Sequence, residues 1–480
     1  MSDSFEHLDP TDEITLETVK SRAVRGVVVL TGRTFILSII SLVATAFLTV
    51  FLEPAEFGVF WIVSAIVSFL AYFSDVGLAA ALIQKKETPG DADLKTTFTL
   101  QQILVLVLLL GLFFATPFLT RVYNLSFEGK LLLYALGISL FFSSLKTIPS
   151  TLLERRLEFG KLVIPQVLEN LVYNIVAVYL AFRGFGILSF AVAVLARGLV
   201  GLITIYILQP WIPGIAFSKE SLKRLLSYGI PYQANSLLAA IKDDGLTAVL
   251  GGILGASGLG FLGWAQKWAY TPLRLFLDHV LKVTFPAFAR MQDAKSDLER
   301  SVTRSIFFIC FLVFPSVVGL LILAPILITI VPRYEKWAPA LIPLALISIN
   351  TVFAAVTTQL TNLLNSIGEI KTTFKLMVMW TALAWLLVPA LAIKYGVNGA
   401  ALGYALVGSS SLVAIYVARR FVKFSAVEAV LRPLAASTIM AIILLITRSN
   451  LPFNLTSVWI LIAIGMFIYA VSSYLIVGVS

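Results

Sequence analysis

The chain of 480 residues lacks much of what a soluble enzyme of its length would need. Only 13% of its residues are charged, against roughly a quarter in soluble domains, whereas 59% are hydrophobic. One cysteine (Cys310) and two histidines (His7 and His279) exclude an intrachain disulfide framework and predict no metal site. There is no GxxxxGK(S/T) phosphate-binding loop and no HExxH zinc motif, so the sequence predicts no cofactor and no ATP hydrolysis by this chain.

Long apolar segments recur instead from Gly26 to the C-terminus, separated by short polar breaks. A helix that crosses a bilayer needs about 20 mostly apolar residues. The sequence therefore predicts an all-α polytopic membrane protein with about 14 transmembrane helices. The predicted spans are 26–51, 56–83, 97–120, 129–153, 162–182, 186–208, 225–250, 257–286, 305–331, 338–366, 376–393, 397–418, 426–447 and 456–478.

The first residues are not expected to form a signal peptide. Residues 1–19 carry six acidic side chains and no lysine or arginine, whereas a signal peptide begins basic and then turns apolar. We expect residues 1–25 to be a disordered cytosolic tail. With that tail inside, the inner loops hold about three times as many lysines and arginines as the outer loops. This bias predicts a cell inner-membrane protein with both termini cytosolic, and it explains the net charge of +10 without nucleic acid.

Two short turns resemble each other at positions 202 residues apart. In each of the two segments Leu52–Phe60 and Leu254–Leu262, a glycine stands six positions after the first leucine and directly follows an apolar residue. Six spans separate the turns, so two halves related by an axis along the membrane normal are predicted. Short glycine turns are also common without any repeat. The sequence predicts an N-lobe at 26–208 and a C-lobe at 225–418, each with six helices, around a central cavity. A cytosolic linker, 209–224, joins the lobes, and two additional helices follow in 426–478.

One predicted span carries a polar stripe. Lys267, Thr271, Arg274, Asp278 and Lys282 are spaced by three or four residues, which keeps them on one helical face. A charge at membrane depth costs at least about 2.5–3.5 kcal/mol, so it normally faces water or a partner. The stripe therefore predicts a helix that lines an aqueous, cationic cavity. The alternative is that the outer members reach the membrane surfaces and Arg274 pairs internally.

Other ionisable and amide side chains lie inside predicted spans, where a functional role and a structural role both remain open. For the run Lys242-Asp243-Asp244, a structural ion pair and a substrate role are about equally supported. For Asn350, cavity lining and helix packing are equally supported. The remaining members of this set are Arg33, Asp75, Glu169 and Asn235.

Three segments resemble bacterial polysaccharide flippases of the multidrug/oligosaccharidyl-lipid/polysaccharide exporter superfamily. They are the run Gly77–Lys86 at the end of the second span, the inner-loop run Leu153–Phe159, and the region from Asp243 to Ala287. The similarity covers nearly the whole chain in order and is greatest to the O-antigen/colanic-acid-type branch.

The resemblance implies a transporter, not an enzyme. It implies that undecaprenyl-diphosphate-linked oligosaccharide moves from the cytosolic to the periplasmic leaflet by alternating access, for surface polysaccharide and lipopolysaccharide biosynthesis. Expected partners are this glycan, the lipid bilayer and other polysaccharide assembly proteins, with coupling to a proton or sodium gradient.

The resemblance also implies roles for the residues at membrane depth. Since relatives have a cationic lumen that suits a diphosphate, the expected substrate-binding residues are Arg33, Lys242, Lys267 and Arg274. The expected coupling residues or ion-pair partners are Asp75, Asp243, Asp244, Asp278 and Glu169, and the expected polar cavity residues are Asn235, Thr271 and Asn350. The run Lys242-Asp243-Asp244 departs from the family pattern of one basic and one acidic residue spaced apart, which leaves the coupling residue open.

Two other functions are compatible with a polytopic helical chain. A drug or metabolite exporter of the same superfamily would take a smaller, often cationic substrate into an acidic or aromatic pocket, and four basic residues at depth argue against it. A membrane-embedded polysaccharide polymerase would need a long periplasmic loop with catalytic basic residues. The longest predicted outer loop has only about a dozen residues.

Overall fold

The computed structural model describes residues 16–85 and 87–478. Side chains are described from residue 32 onward, except at 86, 231, 232, 234–236, 238, 239, 278, 279, 477, 479 and 480. Within these ranges the chain is helical with short connections, and the described residues contain no strand. The chain is thus an all-helical polytopic membrane fold, as its apolar segments predict. Residues 1–15 of the predicted tail lie outside the described residues, and the first helix begins at Leu16.

The chain divides into two compact units. Unit 1 comprises Met1–Leu52 and Val59–Ala248, and unit 2 comprises Glu53–Gly58 and Val249–Ser480. The helices that lie mostly in unit 1 are α1 (Leu16–Phe51), α2 (Pro54–Asp75), α3 (Leu78–Gln84), α4 (Asp91–Tyr123), α5 (Phe127–Leu145), α6 (Thr147–Arg155), α7 (Phe159–Phe182), α8 (Leu188–Leu208) and α9 (Lys219–Ala240). Those that lie mostly in unit 2 are α10 (Leu246–Arg290), α11 (Lys295–Ile330), α12 (Leu341–Ser366), α13 (Ile370–Ser409), α14 (Ser411–Phe421), α15 (Arg432–Ser449) and α16 (Leu455–Val477).

Helix α9 belongs to unit 1 because it packs on the start of α3. A side chain at Gly229 would overlap the carbonyl oxygen of Val76, so only glycine permits this approach. The amide of Gln233 also donates to the carbonyl of Tyr72 over 2.7 Å. The predicted lobe and linker bounds remain predictions.

Twelve helical segments among the described residues are long and apolar enough to cross a membrane. The predicted count of fourteen is therefore not confirmed, although it is close. The difference arises in two segments, Ile241–Leu277 and Ile370–Phe421, each of which runs through parts of two predicted spans. Each contains a glycine with a positive φ, at 67° for Gly255 and 59° for Gly396, where the backbone leaves the helical region.

At Gly396 the chain turns back on itself. A side chain at Gly403 would lie 2.8 Å from the Cα of Val388, although these residues are 15 positions apart. In one continuous helix they would be about 22 Å apart at 1.5 Å per residue. The two arms of α13 are therefore antiparallel neighbours, as expected for the predicted spans 376–393 and 397–418.

The two turns that resemble each other in sequence touch within unit 2. A side chain at Gly58 would lie 1.7 Å from the carbonyl oxygen of Ala256, and one at Gly260 would lie 1.9 Å from that of Pro54. The two contacts are reciprocal at the offset of 202 residues, as a pseudo-two-fold relation between the turns predicts. Glycine is required here because any Cβ would collide with backbone.

Apolar side chains cover the outside of the helices as well as their cores. On α4, Phe114 is 76% exposed and Phe118 is 67% exposed. A contiguous exposed surface of this kind is typical of contact with lipid. Each unit also has a buried core, which in unit 1 includes Leu82 and Ile148 and in unit 2 includes Ile306 and Phe314.

Candidate functional site

Unit 1 contains a pocket of about 520 Å³, the unit 1 pocket, walled by α1, α3, α5, α6, α7 and α8. Four of these walls are candidate membrane spans, so the pocket opens among apolar helices. Its charged members are Arg33, Lys146, Glu154, Glu169 and Arg197. Two of the five, Arg33 and Glu169, are predicted site residues, and the structure brings them to one cavity.

Glu169 is the acidic centre of this pocket. Its residue is 8% exposed, and burial of a carboxylate costs several kcal/mol unless the charge is paired. The Oε1 atom accepts from Lys146 Nζ over 2.6 Å, and Oε2 lies 3.5 Å from Arg197 Nε. A side chain at Gly201 of α8 would lie 1.7 Å from Oε1, so the carboxylate rests directly against the α8 backbone.

The two cations around Glu169 are held differently. Lys146 occupies the break between α5 and α6, with its side chain 17% exposed. The Arg197 side chain is 54% exposed, and its contact with Glu169 is at the long end of hydrogen-bond distances. Lys146 is therefore the tight partner of Glu169, and Arg197 is the accessible one.

Arg33 closes another side of the pocket. Its Nη1 donates to Oε1 of Gln166, one turn before Glu169 on α7. Its Nε is buried and has no hydrogen-bond partner among the described residues. A guanidinium carries five donors in a fixed plane, so Arg33 retains donor capacity for an anion inside the pocket.

The charge of the unit 1 pocket is positive. Three cations face two carboxylates, Glu154 and Glu169. Burial raises the pKa of Glu154, which lies in α6 outside the candidate spans, so this carboxyl holds its proton to higher pH than usual. The arrangement suits an anion that can accept several hydrogen bonds, and phosphate groups are the common biological case.

Asp75 has a structural role at the end of α2. Its two carboxylate oxygens lie 3.3 and 3.2 Å from the backbone nitrogen of Ala79 in the first turn of α3. Val76 and Gly77, which join the two helices, both have positive φ. Asp75 thus caps α3 across this turn by accepting one of its unpaired N–H groups. Its predicted coupling role remains a prediction.

The run Lys242-Asp243-Asp244 lies in a π-helical turn, Ile241–Gly245. Lys242 Nζ is 3.5 Å from Oδ1 of the adjacent Asp243, whose side chain is 72% exposed. π-helical turns are rare in proteins overall, and those that occur are often at functional sites. The run therefore stands out by its backbone conformation as well as by its charges. The structure does not bring these residues into the unit 1 pocket.

The predicted stripe on α10 lies on one exposed face. Lys267 and Arg274 are exposed, and Thr271 between them donates to the Lys267 carbonyl over 2.6 Å. The opposite face is buried, with Ala269 at 0% and Leu273 at 7% exposure. The amphipathic arrangement of these three residues is therefore present, while their role in substrate binding remains a prediction.

Three further predicted residues complete the set. The side chains of Asp278 and Asn235 lie outside the described residues. Asn350 donates to the hydroxyl of Tyr270 over 2.8 Å, and Gly408 packs directly on it. These contacts place Asn350 in the packing of α12 within unit 2.

Sequence reasoning missed Lys146, Arg197 and Gln166 as members of the site. Lys146 lies inside the predicted span 129–153, and Arg197 lies inside 186–208. A basic residue inside a membrane span is a candidate functional residue by its position alone. Nothing in the local sequence pattern connects Lys146 or Arg197 with Glu169, because neither lies on the helix that carries Glu169.

Comparisons with known proteins agree with this architecture. The profile of a family described as "Polysaccharide biosynthesis protein" matches residues 47–342. The succinoglycan biosynthesis transport protein ExoT of Rhizobium meliloti is 27% identical over 280 residues, which are 57% of this chain and 55% of that protein. The lipopolysaccharide biosynthesis protein WzxC of Escherichia coli is 26% identical over 385 residues, 77% of this chain and 75% of that protein. The match therefore spans about half of ExoT and three quarters of WzxC.

A solved structure shares the fold. That of the lipid II flippase MurJ in an inward closed conformation superposes with a TM-score of 0.76 at 18% identity. The alignment covers 93% of this chain and 98% of that one. At this identity the likeness establishes the fold alone.

Proposed function

The chain belongs to the polysaccharide biosynthesis protein family, and on that premise we propose that it is a flippase for a lipid-linked oligosaccharide. The proposed substrate is an undecaprenyl-diphosphate-linked glycan, moved from the cytosolic to the periplasmic leaflet by alternating access for surface polysaccharide biosynthesis. The observation that carries this proposal is the unit 1 pocket, where Arg33, Lys146 and Arg197 converge among apolar helices.

The chemistry of the head group explains why such a pocket is useful. A diphosphate and its sugars cannot enter hydrocarbon unaided, because charged groups lose their hydration there. Positioned cations replace that hydration, and the planar fork of arginine donates two hydrogen bonds to one phosphate. The prenyl chain needs no such site, since it remains soluble in the bilayer.

The proposal extends to location and energy source. We place the chain in the bacterial inner membrane with both termini in the cytosol, which the distribution of lysines and arginines supports. We propose no catalytic step and no cofactor. A proton or sodium gradient would drive the cycle, with Asp243 and Asp244 in the π-helical turn as carriers to test first. The exposed cations of α10, Lys267 and Arg274, would contact the substrate during its passage.

Proteoliposomes containing the purified chain provide the test. A fluorescent undecaprenyl-diphosphate oligosaccharide is placed in both leaflets, and a membrane-impermeant reductant bleaches the outer one. We expect bleaching to proceed to completion with the protein and to stop at the outer leaflet without it, while labelled phosphatidylcholine stays protected in both. If the inner-leaflet glycan stays protected from the reductant and the same vesicles actively take up a cationic dye, the result would favour a drug exporter instead.

A further inference from the structure

Glu169 occupies the place in the unit 1 pocket where two cations converge. Its two carboxylate oxygens contact Lys146 and Arg197, one each. We propose, resting on the proposed function, that Glu169 is a resident counter-ion that the substrate phosphate displaces, so that binding in this pocket is an anion exchange. The site assigned by this exchange consists of Lys146 and Arg197, and its ligand is a prenyl-linked diphosphate.

The exchange solves an electrostatic problem. Without Glu169, the mostly buried Lys146 of the empty pocket would lose its ion-pair partner, and an unpaired buried charge is unfavourable. With Glu169 in place, Lys146 is paired before the ligand arrives. A phosphate carries more charge and more acceptor oxygens than a carboxylate, so it can take over both cations. Both the empty and the loaded pocket then keep their cations paired.

The geometry indicates where the exchange begins. Arg197 is half-exposed and 3.5 Å from Glu169, whereas Lys146 is mostly buried and 2.6 Å away. The weaker and more accessible contact should yield first. Arg33 also lines this cavity, where its Nη1 donates to Gln166.

Gly201 fixes the position of the resident carboxylate. Any side chain at this position would overlap the end of Glu169, with a Cβ 1.7 Å from Oε1 and 2.4 Å from Cδ. Because the overlapping atoms are the far end of a flexible side chain, an alanine would push the carboxylate aside with its charge retained. This glycine therefore offers a way to move the counter-ion without deleting it.

Binding to the full-length protein in nanodiscs tests the exchange, with farnesyl diphosphate as the lipid probe and inorganic pyrophosphate as the free anion. Glu169→Gln should bind farnesyl diphosphate about tenfold more tightly than the wild type, equal to about 1.4 kcal/mol. Glu128→Gln is the matched control, since Glu128 is exposed in the first turn of α5 and does not line the pocket. Its affinity should change less than about twofold.

Gly201→Ala supplies a second test that keeps every charge. It should also tighten binding of farnesyl diphosphate, whereas Gly160→Ala, where a side chain would meet nothing within 4 Å, should not. In the flipping assay, Glu169→Gln should turn over more slowly despite its higher affinity, because no counter-ion returns to expel the phosphate. A merely structural role for Glu169 would lower affinity and turnover together.

Several results would overturn the exchange. They are unchanged or weaker binding in both Glu169→Gln and Gly201→Ala, no binding of farnesyl diphosphate by the wild type, or the predicted tightening for inorganic pyrophosphate alone. If the wild type still flips the lipid-linked glycan in those cases, the proposed function stands and only the exchange fails. If the wild type binds farnesyl diphosphate and both variants bind it more tightly, but the wild type does not flip the lipid-linked glycan, the proposed function fails instead.

Discussion

Replacement of Asp75 separates a helix cap from a proton carrier. The carboxylate accepts from one backbone N–H, that of Ala79, through two oxygens at 3.3 and 3.2 Å. Asparagine caps helices about as well as aspartate, whereas alanine costs about 1 kcal/mol. If the cap is what Asp75 contributes, Asp75→Asn should flip substrate at the wild-type rate with unchanged stability. Asp75→Ala should lose about 1 kcal/mol of unfolding free energy, because one N–H of α3 is left without its partner.

The assay combines denaturant unfolding in detergent with the proteoliposome flipping rate at two pH values. Asparagine cannot ionise, so it retains the cap and removes any proton transfer at this position. A folded Asp75→Asn protein that no longer flips substrate, while Asp75→Ala is as stable as the wild type, would refute the capping role and restore Asp75 as a coupling residue.

Three other substitutions have defined outcomes. Arg274→Ala should abolish flipping and leave the melting temperature unchanged, because its side chain is exposed on α10; wild-type flipping would remove Arg274 from the site. Arg155→Gln should lower the unfolding free energy by about 2 kcal/mol, since Arg155 donates to the carbonyls of Leu82 and Lys85 at the end of α3; wild-type stability would contradict this. Glu154 has a pKa raised by burial, so its contribution to stability is complete below its ordinary pKa of 4.5 and is lost as the pH rises through the raised value. In a thermal-shift series the wild type should therefore lose stability relative to Glu154→Gln with rising pH, and parallel curves would show that burial is not felt by this carboxyl.

The apolar segments were sufficient to predict the helical membrane fold. They also predicted a break near Gly396, because glycine tolerates the positive φ that the turn requires. The predicted count of fourteen differs from the twelve long helical segments because two of those segments each contain a glycine at which the backbone leaves the helical region.

The site was only partly predictable for a physical reason. Glu169 was singled out as a carboxyl inside a predicted span, and its coupling or ion-pair role remains a prediction. Its partners lie 23 and 28 residues away, outside its own helix, and helical periodicity says nothing about such contacts. The capping role of Asp75 depends on positive φ values at Val76 and Gly77, of which only the glycine is visible in a sequence.

The initial flipping rate of Arg33→Gln tests the central claim most directly. Arg33 lines the unit 1 pocket with donors to spare, so loss of its charge should remove a charge-assisted hydrogen bond to phosphate and slow flipping about tenfold or more. Lys161→Gln is the matched control, because Lys161 is half-exposed, pairs with Glu158 and does not line the pocket. We expect the control to flip at the wild-type rate. Equal rates for Arg33→Gln, Lys161→Gln and the wild type would contradict a phosphate-binding role for this pocket.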